Sequence, residues 1–133
     1  MNEPYLINFP KIGSLETGYL SICENEKLLF IPKRIYWTYL TPENIERGGH
    51  AHIELEQILV AVAGKIDLTI QTFDNKLFEF HLDQPNLGVY IPKKSWRKMK
   101  YSSNAVQMCI ASLEYDEDDY IRDYEKFIQL STK

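Results

Sequence analysis

The chain has little of what holds proteins together covalently or through thiolate metal sites. Only two of its 133 residues are cysteines, Cys23 and Cys109; they lie far apart with no CxxC spacing. That argues against a disulfide framework or a cysteine zinc site and leaves both expected as buried thiols. Six glycines and six prolines are too few for a collagen-like or low-complexity chain. No apolar run approaches the roughly 20 residues that a bilayer-spanning helix needs. The start, MNEPYLINF, lacks the basic segment and apolar stretch of a secretory leader, so the cytoplasm is the expected compartment. A basic excess is missing too: 15 Lys and Arg stand against 19 Asp and Glu, a net charge of −4. Residues 114–126 alone hold seven acids and two bases. The remainder is almost neutral, which argues against a nucleic-acid binder relying on a broad basic face. It leaves room for a small pocket holding one anionic ligand.

What is present is an ordinary globular make-up, 44% hydrophobic and 26% charged, long enough for one domain over 1–133 with a core of its own. Aromatics reach 13%, with nine tyrosines, mostly in short segments bounded by turn residues. This pattern predicts strands over 5–9, 19–24, 34–40, 57–63, 65–73, 76–82, 88–91 and 105–112. Ile66, Leu68 and Ile70 alternate with polar neighbours, and an Asp74-Asn75 turn leads to Phe78, Phe80 and Leu82, the mark of a hairpin with one buried face. Gly64 similarly separates two strands, so an antiparallel meander is expected there. After Ser112 the period changes: acids at 116–119 precede Tyr120, Ile121, Tyr124, Phe127 and Ile128 at helical spacing, which predicts one helix over about 117–130. An all-β sandwich or jelly-roll barrel with a single C-terminal helix follows.

Two of the three histidines fall in Arg47-Gly48-Gly49-His50-Ala51-His52. On an extended strand, His50 and His52 share a face a few ångströms apart. Three readings of that spacing stand side by side. The pair can act as acid and base near neutrality, moving a proton between carbons next to a carbonyl. It can bind a metal with Glu56 as third ligand, or it can be two structurally hydrogen-bonded histidines beside a Gly-Gly turn. Metal-binding barrels of this kind add a fourth ligand from a later strand of the form G-x5-P-x-G-x2-H. Here Trp96 and Arg97 stand where that histidine would fall, which weakens the metal reading. His81 has the opposite parity from Phe78 and Phe80 and is expected to face solvent. The basic run Lys93, Lys94, Arg97, Lys98 and Lys100 reads as a solvated loop or a phosphate contact. In 34–39, Arg34, Tyr36 and Thr38 share one face and Ile35, Trp37 and Tyr39 the other. A buried polar face with Arg34 and Tyr36 makes sense if it lines a cavity; the alternative is an edge strand with a wet outer face.

The same residues resemble a known family. Ile7-Asn8-Phe9, Lys33-Arg34-Ile35-Tyr36, Arg47 to His52 with Glu56-Gln57 after it, Gly88-Val89-Tyr90 and the tail from Tyr115 to Tyr124 are similar, in order, to the nucleotide-sugar 3,4-ketoisomerases. These are small cupins acting on dTDP-4-keto-6-deoxyglucose. The resemblance implies a cupin-type jelly roll, a homodimer with exchanged N-terminal strands, and a metal-free site without cofactor that holds a dTDP-linked 4-keto-6-deoxy sugar. It also implies that His50 and His52 transfer the proton, that Arg34 and Arg47 bind the diphosphate, and that Tyr36, Gln57 and Tyr90 line the sugar pocket. The expected reaction makes a 3-keto sugar for 3-amino-3,6-dideoxyhexose synthesis in bacterial surface glycans. A sugar-nucleotide 3,5-epimerase and a non-catalytic sugar-nucleotide-binding cupin are the competing assignments.

Overall fold

A computed structural model of the chain describes residues 2–131. Twelve strands are formed: β1 (Tyr5–Asn8), β2 (Lys11–Ser14), β3 (Gly18–Ser21), β4 (Arg34–Thr38), β5 (Glu46–His52), β6 (Gln57–Ala63), β7 (Ile66–Gln71), β8 (Leu77–Leu82), β9 (Leu87–Ile91), β10 (Trp96–Tyr101), β11 (Val106–Ala111) and β12 (Tyr120–Ile121). A single α-helix, α1 (Tyr124–Ser131), follows. The strands make two five-stranded antiparallel sheets, in the orders β1-β9-β6-β11-β4 and β12-β5-β10-β7-β8, and a separate β2-β3 hairpin. The sheets face each other as a cupin-like sandwich and are not hydrogen-bonded into one closed barrel.

Alternation decides which side chains meet between the sheets. Leu59, Ile66, Leu68, Ile70, Leu82, Val89 and Ile91 all point inward and are at most 1% exposed, forming the central core. Each contributes roughly 2 kcal/mol by leaving water. On the outer face of the first sheet Ile7, Phe9, Ile58, Val60, Tyr90 and Ile110 form a second cluster. The outer face of the other sheet is covered by the C-terminal segment, where Ala51, Trp96, Ile121 and Phe127 pack together.

Two expectations are corrected here. The β7-β8 hairpin forms around Asn75 at φ 66°, but β6 and β7 do not pair, because they belong to different sheets. Gly64, at φ 69°, carries the chain across the sandwich edge, and a Cβ there would lie 2.6 Å from Ala105 Cα. The corner is therefore a sheet crossing rather than a meander turn. The helix begins at Tyr124 instead of about 117. Asp116 caps a single 3-10 turn, Glu117–Asp119, and Tyr120–Ile121 then add to the edge of β5. The helix starts only where Asp123 Oδ1 accepts the Glu125 N–H at 3.0 Å. Of the two thiols, Cys109 is buried and Cys23 half-buried, and neither is in a disulfide.

One irregularity sets the face of the histidine strand. His50 stands opposite Arg97, and Gly48 opposite Lys98, so Gly49 is an extra residue in β5, a bulge. Three residues normally separate opposite faces of a strand. The bulge instead brings Arg47, paired with the inward Met99, and His50 to the same inner face. Gly48 and Gly49 make the bulge possible at φ 88° and 68°. At Gly48 a Cβ would lie 2.8 Å from the Arg97 carbonyl oxygen. Gly48→Ala is accordingly expected to cost about 1–3 kcal/mol of stability, readable as a lower midpoint in urea unfolding with an unchanged slope.

Candidate active site

Between the β4 edge of one sheet and the β5-β12 edge of the other lies a cavity of about 370 Å³. Its walls carry Arg34, Tyr36 and Thr38 from β4, Arg47 and His50 from β5, Tyr120 from β12 and Arg122 just beyond. Among the described residues no carboxylate lines it. In a chain of net negative charge this is a local concentration of guanidinium, suited to an anionic ligand. The buried Nε of Arg34 has no hydrogen-bond partner among the described residues. Arg34 is held instead with its guanidinium carbon 5.1 Å from the centre of the Tyr36 ring.

The two imidazoles meet edge to face with ring centres 4.9 Å apart. Tyr120, opposite His52 in the strand register, lies against both, with ring centres 4.3 Å from His52 and 5.1 Å from His50. Arg122 stacks over that phenol at 4.1 Å. His50 opens on the cavity, whereas His52 is 1% exposed and backs it. His52 Nδ1 lies 3.4 Å from Asp119 Oδ2, without hydrogen-bond geometry to it. The Asp119 carboxylate is occupied by the backbone N–H groups of Glu54 and Leu55 at 2.8 and 3.2 Å. It thereby ties the loop after β5 to the segment that brings Tyr120.

Under the histidines lies Arg97, 1% exposed and without an ion-pair partner among the described residues. Its Nε and Nη2 donate to the Ser95 carbonyl at 3.2 and 3.1 Å, and its Nη1 donates to Gln57 Oε1. Burial lowers its pKa to about 10, so it stays cationic at neutral pH. Burial first, and the nearby Arg97 charge second, push His50 down to about 3 and His52 down to about 2. Both imidazoles are thus neutral at physiological pH, with ring-nitrogen lone pairs uncommitted to a proton.

The structure brings His50, His52, Arg34, Tyr36 and Arg47 together and sets Gln57 directly behind Tyr36, whose hydroxyl oxygen accepts from Gln57 Nε2 at 2.8 Å. It does not bring Tyr90 there. Tyr90 has the parity of the outer face, packs in the Ile7–Phe9 cluster and donates to Glu56 Oε1 at 2.5 Å. Glu56 is drawn to that face as well, so the third ligand that a metal reading needed is not beside the imidazoles. His81 faces solvent as expected, 2.7 Å from Asp67. The sequence reading missed the inward role of Arg97, although Arg97, Met99 and Tyr101 alternate with Lys98 and Lys100 as a half-buried strand should. It also missed Tyr120 and Asp119, for which a two-residue strand leaves no periodic signal.

A family model described as FdtA: WxcM-like, C-terminal, matches residues 2–132. The chain belongs to the FdtA family. Among its relatives is a TDP-4-oxo-6-deoxy-alpha-D-glucose-3,4-oxoisomerase of Aneurinibacillus thermoaerophilus, 39% identical over 94% of this chain and 90% of that one. A crystal structure of a 3,4-ketoisomerase from Helicobacter canadensis superposes with a TM-score of 0.91 at 34% identity, over 98% of both chains. The Thermoanaerobacterium thermosaccharolyticum 3,4-ketoisomerase QdtA, in complex with TDP, gives 0.90 at 31% identity, over 97% of this chain and 94% of that one. A dTDP-4-dehydrorhamnose 3,5-epimerase shares the fold only, at 14% identity and a TM-score of 0.78.

The depressed histidines make stability depend on pH. Below about pH 6.5 the unfolded chain takes up protons on His50 and His52 that the folded chain refuses, so stability present above that value is lost as pH falls. Between pH 5 and 6.5, where ordinary carboxylates are already ionised, Tm is expected to climb with pH. In His50→Asn the slope should fall by half or more, since one of two such groups is gone while His81, whose pKa the hydrogen bond to Asp67 raises, still contributes in the opposite sense. An unchanged slope in scanning calorimetry would refute the neutral-imidazole assignment.

Proposed function

We propose that this protein is a sugar-nucleotide 3,4-ketoisomerase that converts dTDP-4-keto-6-deoxyglucose to a dTDP-3-keto-6-deoxyhexose. The observation carrying the reading is a pair of neutral imidazoles in a carboxylate-free cavity rimmed by guanidinium groups. The names of the relatives supply the substrate class. Arg34 and Arg47 grip the diphosphate, for which planar guanidinium forks are suited, while Tyr36 lies against the sugar with Gln57 behind it.

The 4-ketone acidifies the hydrogen on C3. A neutral imidazole of the His50/His52 pair takes that proton; the C3–H electron pair becomes the C3–C4 double bond, and the carbonyl pair moves to O4. The enediolate's charge develops above the Arg97 cation, whose field favours it without any reorganisation. O4 then gains a proton, O3 loses its own, and the imidazolium returns a proton to C4, leaving the ketone at C3. Such a product is what an amino-group transfer to C3 would consume. No metal or cofactor is required by these steps.

The working unit we propose is a homodimer with exchanged N-terminal strands. Ile35 and Trp37 on the outer face of β4 are 55% and 63% exposed, and Tyr39 just after it 59%. The β2-β3 hairpin is exposed along its whole length, a situation in which two strands alone are marginal. Beneath it runs a cleft of about 530 Å³ lined by Phe9, Val60, Met108 and Ile110. A second copy is the partner whose surface has this chemistry. The compartment we propose is the cytoplasm, in keeping with the unpaired thiols and with no helix among the described residues long and apolar enough to cross a membrane.

Two measurements test this. With EDTA present in D2O, proton NMR of dTDP-4-keto-6-deoxyglucose and pure protein should show a 3-keto product carrying deuterium at C4. His50→Ala and His52→Ala should each slow it by about 10²–10⁴-fold. An unaltered substrate spectrum with the wild-type protein would reject the isomerase reading. In sedimentation the protein should run at twice the 15.6 kDa of one chain and Trp37→Glu as a monomer; wild-type monomers would reject the dimer.

A further inference from the structure

His52 is the buried imidazole of the pair, and neither of its ring nitrogens has a hydrogen-bond partner among the described residues. A neutral imidazole carries one N–H and one lone pair, so each nitrogen asks for a different neighbour. Nδ1 has Asp119 Oδ2 at 3.4 Å, on a carboxylate that is itself 9% exposed. That carboxylate is fixed in place by the loop after β5: Oδ1 accepts the Glu54 N–H and Oδ2 the Leu55 N–H. A carboxylate oxygen can accept twice. Beside these bonds Oδ2 keeps one acceptor site next to the ring.

Only one tautomer suits this placement. With its hydrogen on Nδ1, the ring turns a donor toward the carboxylate and leaves the Nε2 lone pair for a ligand. The reverse form would set a lone pair against a negative oxygen and bury an N–H with no acceptor, the costlier arrangement. The contact also changes with protonation. Off the hydrogen-bond line at 3.4 Å, Asp119 does little for a neutral ring. Once Nε2 takes a proton, the ring is a cation beside a carboxylate in a water-excluded site, where such an attraction is strong. The other groups facing His52 are cationic or neutral: Arg97 from β10, Arg34 from β4, Arg122 beyond β12, Tyr120 of β12 and His50 on its own strand. Asp119 is the one acid paired with it among the described residues.

We infer that Asp119 is a positioning residue for proton transfer: it holds His52 in the Nδ1–H tautomer, leaves the Nε2 lone pair for the sugar, and supplies the counter-charge when His52 becomes an imidazolium. The inference rests on the ketoisomerase reading. A proton leaving the sugar forms its bond to Nε2 with that lone pair, while Nδ1 keeps its own hydrogen. The Nε2–H bond breaks again when the proton is returned, and Asp119 takes up no proton at any stage. Because its contact tightens only with the imidazolium, its contribution falls on the reaction rather than on substrate binding.

Two readouts test this. The first is the long-range proton–nitrogen NMR spectrum of the imidazoles at neutral pH, with His52 identified by the signal lost in His52→Ala. It should show a hydrogen on Nδ1 and a bare Nε2, although histidine in water prefers the opposite form. The second is steady-state kinetics with dTDP-4-keto-6-deoxyglucose. Asp119→Asn keeps the shape, removes the charge and gives up one bond to the loop. Its kcat should fall by about 10²-fold or more with KM changed little, since Asp119 lines no part of the cavity. Ser112→Ala is the comparison: Ser112 Oγ accepts the Glu56 N–H at 2.8 Å, so this variant loosens the same loop by one bond and leaves the partner of His52 in place. It should keep wild-type kcat, whereas a purely structural role for Asp119 predicts equal losses in the two variants. A hydrogen on Nε2 of His52, full kcat in Asp119→Asn, or an equal loss in Ser112→Ala would overturn the inference while the wild type still turns over. Should Asp119→Asn fail to fold, the wild-type spectrum still decides. A wild type that does not isomerise the sugar would overturn the ketoisomerase reading and with it the role given to Asp119.

Discussion

A guanidinium buried among neutral partners is the constraint around which this molecule is arranged. Removing an ion from water costs several kcal/mol even after relaxation, and Arg97 has only an amide oxygen and a backbone carbonyl in return. A carboxylate beside it would repay the cost and cancel the field. Its absence leaves a fixed positive charge in a dry interior, and three properties of the site follow from it. The imidazoles, held neutral first by burial, are held so further by this charge; the Gln57 amide is fixed in one orientation, and the cavity favours an anion. The protein tolerates this because the sandwich interior toward β7, β8 and β9 is apolar and buried.

The sandwich thus has two interiors. Toward β7, β8 and β9 the inward residues are aliphatic and carry the stability; toward β4, β5 and β12 they are Arg34, Tyr36, Arg47, His50 and His52. The second group would be scattered over both faces without the bulge at Gly49. A single extra residue reverses the alternation of β5 in mid-strand, so Arg47 and His50 line one cavity. Backbone geometry here accomplishes what no choice of side chains could.

Strands whose side chains alternate were legible from composition and order alone: the β7-β8 hairpin, the polar inner face of β4 and the solvent-facing His81 follow from parity. The histidine pair was legible because H-x-H on a strand has one geometric outcome. Other features escaped for identifiable reasons. Five basic residues in 93–100 suggest a wet loop, yet Arg97 is fixed inside by its strand neighbours. Gly64 marks a reversal in the chain without saying whether the next strand pairs or crosses. Tyr90 matched a family motif, but its parity points it away from the cavity. In the acidic tail the spacing of apolar residues fits a helix, and the tertiary demand for an edge strand against β5 overrides it until Tyr124.

The clamp between Asp119 and the loop after β5 has a bearing on how the protein comes into being. Every other wall of the cavity belongs to residues up to 107, but Tyr120 and Arg122, which cover the imidazoles, come after all of them. The pairing of β12 with β5 joins segments almost seventy residues apart. Without the docked tail the sandwich would leave its histidines open to water, with no roof. Dryness at the site, and with it the chemistry, arrives in one late step when the tail docks. The same sandwich is thus a dry proton-transfer site with the tail docked and an open, wet groove without it.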